Sequence, residues 1–170
     1  KIARRQSSFL CILGNVMTAR NLFDVEFYLN NYSDVASSGI DPYTHYSLFG
    51  WKEDRDPNTF FSSRFYKTVN PDIKSADINP LSHYVDFGVQ ELRDPSPFFD
   101  TSFYLQENQD VANGATNPLE HFIAFGNQEQ RRAIELFDTT FYLTNNSDVA
   151  SLVNSQLTTA FEHFVLFGHE

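Results

Sequence analysis

Four histidines, His45, His83, His121 and His163, recur in near-identical settings, each followed five residues later by a glycine: Gly50, Gly88, Gly126 and Gly168. Imidazole is a common metal ligand and a general acid or base near neutral pH, so one histidine per repeat suggests a ladder of metal sites. The spacing weighs against it. Equivalent atoms in packed helical units lie roughly 8–10 Å apart, whereas an ion needs several donors within about 2–2.6 Å. Histidines of neighbouring units cannot then share one ion. The expected role is structural: a core imidazole bonded to a backbone carbonyl near the cap of a helix, fixing the geometry of its unit. His169 stands outside this pattern and is expected to face solvent.

Asp34, Asp72, Asp110 and Asp148 recur in the same phase, and Asp41, Asp56, Asp77 and Asp94 fall between the periodic segments. Such oxygens suit calcium, but no D-x-D-x-D-G loop or G-G-x-G-x-D repeat is present, and helix capping accounts for most of the positions. Calcium is therefore carried as an alternative to an expectation of no cofactor. Acids that recur in every unit are not the singular pair of a glycosidase. The serines are scattered and no G-x-S-x-G elbow occurs; there is no G-x-G-x-x-G and no Walker motif. Cys11, alone in an apolar run, is expected to be inert. The chain is not expected to be an enzyme.

The elements that position these residues follow from the repeat. Phe23-Asp24, Phe61-Ser62, Phe99-Asp100 and Phe137-Asp138 are 38 residues apart, and Phe27-Tyr28, Phe65-Tyr66, Phe103-Tyr104 and Phe141-Tyr142 keep step with them. The last unit carries four extra residues before its histidine. Four landmarks in phase at this period mark an array of supersecondary units, here 22–59, 60–97, 98–135 and 136–170. Each unit shows three helix starts. Asp24 is an N-cap, with Phe23 stapled onto Tyr28 and both Phe27 and Tyr28 facing inward. Asn70-Pro71 is the second start, and Asp41-Pro42, Asn79-Pro80 and Asn117-Pro118 are examples of the third. The third helix is expected to end at Phe-Gly, with the glycine in a left-handed cap. Helices this short are stable only when packed. The stripes His45/Tyr46/Phe49, His83/Tyr84/Phe87, His121/Phe122/Phe125 and His163/Phe164/Phe167 are therefore expected to bury against the next unit. The fold expected is all-α, a solenoid-like array of four 38-residue units of about three short helices each, with an N-terminal capping segment.

Charge narrows the partners. Residues 1–21 hold Lys1, Arg4, Arg5 and Arg20 and no acid (+4), while 22–170 hold 8 basic and 22 acidic side chains (−14), which sum to −10. A body this acidic repels phosphate backbones, so protein partners are expected and nucleic acid is not. No run approaches the roughly 18 apolar residues of a membrane span. Residues 1–21 look like an imperfect signal peptide; they are expected to cap the first repeat or to dock as a basic arm through Arg4 and Arg5. Arg55 and Arg93, in the polar connectors, form a periodic charged row that could be a recognition face. Trp51 stands where the other units have Val89 and Asn127, and so is a candidate contact residue.

Over residues 22–170 the pattern resembles a bacterial tandem repeat, cyanobacterial and proteobacterial above all. Its form is F-D-x-x-[FY]-Y-L-x-x-N-P-D-V-A, then N-P-L-x-H-[FY]-x-x-[FY]-G, then E-G-R. That resemblance implies a non-catalytic interaction or scaffold module of a larger bacterial surface or multi-subunit assembly. Copies often stand beside secreted calcium-binding repeat proteins, surface proteins or glycan-processing domains, which implies an extracellular or cell-surface location. Two alternatives stay open: a calcium- or glycan-binding accessory domain, and a linker subunit of a large intracellular complex such as a photosynthetic one. The glycine of E-G-R is replaced in Glu53–Arg55, Glu91–Arg93 and Glu129–Arg131. That replacement puts a tight connector turn in doubt.

Overall fold

A computed structural model describes residues 18–114 and 116–168. Among them the chain is helical, with no strand and only two isolated bridges, Asn58–Phe61 and Ser96–Phe99. The first helices are α1 (Val25–Asn31), α2 (Ser33–Ser38) and α3 (Pro42–His45). They recur as α4 (Ser63–Val69), α5 (Pro71–Ser75) and α6 (Pro80–His83), then α7 (Thr101–Glu107), α8 (Gln109–Asn113) and α9 (Pro118–His121). The last set is α10 (Thr139–Asn145), α11 (Ser147–Asn154) and α12 (Ala160–His163), with the four extra residues of the sequence falling at and after the longer α11.

The first helix of each set starts as its sequence dictates. The side chains of Asp24, Ser62, Asp100 and Asp138 accept from the amides of Phe27, Phe65, Phe103 and Phe141. Phe23 lies 5.0 Å from the Tyr28 ring, the staple expected across that turn. Of each Phe-Tyr pair only the tyrosine enters the core. Tyr28, Tyr66 and Tyr104 are fully buried, while Phe27, Phe65 and Phe103 are half-exposed and Phe141 is exposed. Adjacent residues on a helix point about 100° apart, and a helix of seven residues has room for one of them against its neighbours.

The second start differs from expectation. Asn70 and Asn108 do not cap α5 and α8 with their side chains. Their side-chain amide nitrogens turn back to donate to the carbonyls of Tyr66 and Tyr104 at 2.8 Å, adding a second donor to oxygens that already accept from the same asparagines' backbone amides and so reinforcing the end of the preceding helix.

The third helices do not run as plain α-helix to their glycines. Tyr46–Gly50, Tyr84–Gly88, Phe122–Gly126 and Phe164–Gly168 are π-helical. Trp51, Val89 and Asn127 accordingly donate five residues back, to Tyr46, Tyr84 and Phe122. The wider turn rotates the last aromatic away from the core. Phe49, Phe87, Phe125 and Phe167 are 51–68% exposed, although their spacing suggests burial. The glycines are not left-handed either. Positive φ falls four residues later, on Asp54, Leu92 and Gln130 at 54–60°. These are the middle residues of E-D-R, E-L-R and E-Q-R, so the tight turn survives without its glycine and the replacing side chains carry the strain.

The core is a chain of rings within and between units, and through Phe60 and Phe161 it joins two units that are not sequence neighbours. Phe60 lies 5.2 Å from Phe122 and 6.1 Å from Phe161, and Phe137 lies 4.9 Å from Phe161. The short 3-10 turn Ala19–Leu22 buries Ala19 and Leu22 and meets α9 of the third unit, where Asn21 approaches Glu120 at 3.5 Å. The described part of the N-terminal segment thus reaches across to the third unit instead of covering only the first.

Candidate functional site

Each histidine is held by a tyrosine from the first helix of its own unit. Tyr28, Tyr66, Tyr104 and Tyr142 place their hydroxyls 2.9–3.0 Å from Nδ1 of His45, His83, His121 and His163. The partner is a phenol and not the backbone carbonyl expected from sequence. The glycine five residues on makes room for it. A Cβ on Gly50, Gly88, Gly126 or Gly168 would lie 2.1–2.4 Å from the same hydroxyl, inside any allowed contact. Histidine, tyrosine and glycine are therefore one device: the glycine admits the hydroxyl, and the hydroxyl fixes the imidazole. Burial pushes all four phenols above their ordinary pKa, keeping them protonated, and burial pushes the His83 imidazole down. On its other side each imidazole is covered by the exposed phenylalanine of the π turn, at 5.2–5.8 Å between ring centroids.

The recurring aspartates are tied to the connector arginines. Arg55 grips Asp34 with two nitrogens at 2.8 Å each, Arg93 grips Asp72 at 2.9 and 2.8 Å, and Arg131 reaches Asp110 at 2.8–2.9 Å. Arg93 and Arg131 also donate to the side-chain oxygens of Asn70 and Asn108. The arginine Nε is held in turn by Glu53, Glu91 and Glu129 at 2.6 Å. These pairings hold the carboxyls of Asp34, Asp72 and Asp110 below the usual range, Asp34 at about 2. The arginine side chains are only 18–25% exposed, so Arg55 and Arg93 are spent as pins between a connector and the second helix of its unit. The aspartates serve as ion-pair partners more than as caps. Calcium at these carboxylates would have to displace a bidentate guanidinium, and no group of three or more potential metal ligands is gathered among the described residues.

Asp56 and Asp94 have a different use. Their Oδ1 atoms accept from the amides of Ser63 and Thr101 at 2.7 and 2.8 Å, anchoring the connector to the next first helix. Burial raises both, Asp56 to about 6.

Trp51 is buried, its indole donating to the Ser47 carbonyl, with Lys52 and Lys67 over its ring at 4.9 and 5.7 Å. Its place in the core answers why this position departs from the repeat. Lys67 donates to the Trp51 carbonyl and pairs with Asp54, so the tryptophan's local surroundings are specific to this joint. Arg4, Arg5, Cys11 and His169 lie outside the described residues. A cleft of about 550 Å³ opens between Asn21–Glu26 and the Ile123–Gln128 and Glu162 side, without a cluster of reactive groups in it.

Among the exposed large apolar side chains one set is periodic. Phe49, Phe87, Phe125 and Phe167 stand at the same place in every unit, flanked by exposed Leu48, Ile123 and Leu166. The sequence placed these rings in the core; the signal that could have found them is the glycine next door, which marks a crowded backbone and not a cap. Among the described residues no helix is long and apolar enough to cross a membrane. No family model, curated protein or solved structure matches this chain.

Proposed function

We propose that the chain is a non-catalytic interaction module, a solenoid-like array of four units that works as a scaffold inside a larger bacterial surface or multi-subunit assembly. The observation that carries this reading is the row of exposed phenylalanines at Phe49, Phe87, Phe125 and Phe167. Exposed large apolar side chains repeated at one structural position are unusual for a surface with no partner. The groups capable of chemistry meanwhile have structural employment: imidazoles on phenols, aspartates on arginines, buried carboxyls on backbone amides. A repeated ring presented at regular intervals suits an extended partner engaged at several points, each weak alone and strong together.

The test is a variant with Phe49, Phe87 and Phe125 changed to Ser, compared with the parent by quantitative recovery of native partners from the source cell. The expected result is loss of partners with an unchanged helical signal and cooperative melting. Partners retained in full by the folded variant would overturn the reading.

A further inference from the structure

Residues 22–170 hold eight basic side chains, and the structure divides them in two. Arg55, Arg93 and Arg131 are the connector pins, and Arg132 lies over the Phe103 ring. The other four, Lys52, Arg64, Lys67 and Lys74, line one cleft of about 480 Å³ with Trp51. Lys52 comes from the connector of the first unit, Arg64 and Lys67 from α4, and Lys74 from α5 of the second. The repeat does not demand any of them. In its register Lys52 corresponds to Gln90 and Gln128, and Arg64 to Glu26, Ser102 and Thr140. Lys67 corresponds to Leu29, Leu105 and Leu143, and Lys74 to Ala36, Ala112 and Ala150. Four cations thus stand where no other unit has one, and all four meet at a single joint. Unselected surface variation would scatter them over the array.

The ion pairs inside the cleft do not neutralise it. Lys67, 14% exposed, is spent on Asp54 at 2.7 Å and on the Trp51 carbonyl. Lys52 meets Asp77 at 2.7 Å, but both side chains are at least half in solvent, a weak pairing that leaves the ammonium available. Arg64 and Lys74 are exposed, and neither is ion-paired among the described residues. Four cations against Asp54 and Asp77 leave +2 in the cleft, while the rest of 22–170 carries 4 basic and 20 acidic side chains, −16. That contrast limits the ligand in size as well as sign. An extended polyanion leaving the cleft would run over carboxylates, whereas a compact anion of two charges matches the surplus and stays within it.

We infer that this cleft, at the joint of the first two units, is a binding site for a compact dianion, a phosphate ester or a dicarboxylate. Arg64 and Lys74 supply the two uncompensated charges, the guanidinium as a planar fork and the ammonium as a point charge. Lys52 turns from Asp77 to make the third contact. The inference concerns residues apart from the phenylalanine row and stands without the scaffold reading.

Trp51 is the one tryptophan of the chain and has the Lys52 ammonium 4.9 Å from its ring centroid, so its emission reports on the cleft. Inorganic phosphate and succinate are titrated into the full chain in mildly alkaline buffer, where phosphate carries two charges, with ionic strength held constant by sodium chloride. A saturating change at millimolar anion or below is expected, and whichever of the two binds more tightly assigns the class of ligand. Arg64→Ala and Lys74→Ala should each weaken binding roughly fivefold, the upper scale of an exposed ion pair, and together roughly twenty-fivefold. Both residues are exposed, so an unchanged melting curve verifies that the variants fold. Arg132→Ala removes the same charge elsewhere on the surface and should leave the affinity as it was. Calorimetry of the same titrations registers an anion that binds without changing the emission. Saturation by neither anion in either readout, parent-like binding by the double variant, or an equal loss in Arg132→Ala would overturn the proposal.

Discussion

Replacing Gly88 by alanine tests the tyrosine–histidine–glycine device most sharply, because its effect should vanish in one particular double variant. The new Cβ would lie 2.3 Å from the Tyr66 hydroxyl and 3.5 Å from the ring carbon bearing it. Real Cβ contacts do not fall below 3.0 Å, so the hydroxyl must retreat by at least 0.7 Å, taking it off His83 Nδ1. Overpacking of this kind costs about 1–3 kcal/mol and the lost hydrogen bond about 1. Alanine returns about 1 kcal/mol of helix propensity, since Gly88 has helical, not left-handed, dihedrals. The net expectation is a loss of about 1–3 kcal/mol. Tyr66→Phe alone should lose about 1 kcal/mol, the hydrogen bond only. In the double variant the severe clash has no atom to act on: the Cβ meets the ring carbon at position 66 at 3.5 Å, an ordinary contact, and the Tyr84 ring at 3.1 Å, a tight one that a shift of a few tenths of an ångström relieves. Its stability should return to within about 1 kcal/mol of the parent, against an additive loss of about 2–4, a coupling of about 2–3 kcal/mol in favour of the pair. Denaturant unfolding of the parent, the two single variants and the double variant measures this directly. Additive losses would refute the claim that the glycine exists to seat the hydroxyl.

Other substitutions read other parts of the structure. Leu92 holds φ of 54° with its side chain exposed; Leu92→Gly should raise stability by about 0.5–1 kcal/mol, the left-handed cost less the entropy of glycine, as read from the melting midpoint. The buried Tyr84 hydroxyl, beside Thr101, has no hydrogen-bond partner of good geometry; Tyr84→Phe should be neutral or stabilising by up to about 1 kcal/mol, matching the phenylalanines at 122 and 164. Asp56 has a folded pKa of about 6, above its ordinary 3.8. Its contribution to stability is therefore present below the unfolded value and is lost as pH rises through about 6. Asp56→Asn should remove that slope and stabilise the protein at pH 7 by about 1–2 kcal/mol, seen in unfolding curves collected from pH 4 to 7.

Much of the helical framework could be read from single residues. Asp24, Asp100 and Asp138 announce their helices because an oxygen at that point has one obvious donor, the amide three residues on. Pro71, Pro80 and Pro118 mark first turns for the equally local reason that they have no amide to lose. What local chemistry could not decide was the work done by side chains reaching across a unit. Asn70 looks like a cap, yet Arg93, 23 residues away, recruits its oxygen while its nitrogen closes the helix before it. Phe49 and Phe87 look like core because an α-helical period places them on the stripe, and the π turn moves them off it. Gly88 looks like a helix stop, and only the position of Tyr66 shows that it is a seat. Trp51 departs from the repeat, which the sequence reads as a contact on offer, whereas burial and Lys67 occupy it.

The four imidazoles are held as parts of joints, each Nδ1 on the tyrosine of its own unit. Long-range nitrogen–proton NMR of the histidine rings observes this directly. His45, His83, His121 and His163 should each show a hydrogen-bonded Nδ1 whose resonance moves when its own tyrosine is changed to phenylalanine, and none should respond to added calcium or zinc. Ring nitrogens that ignore the tyrosine substitutions, or that shift together on binding a metal ion, would contradict it.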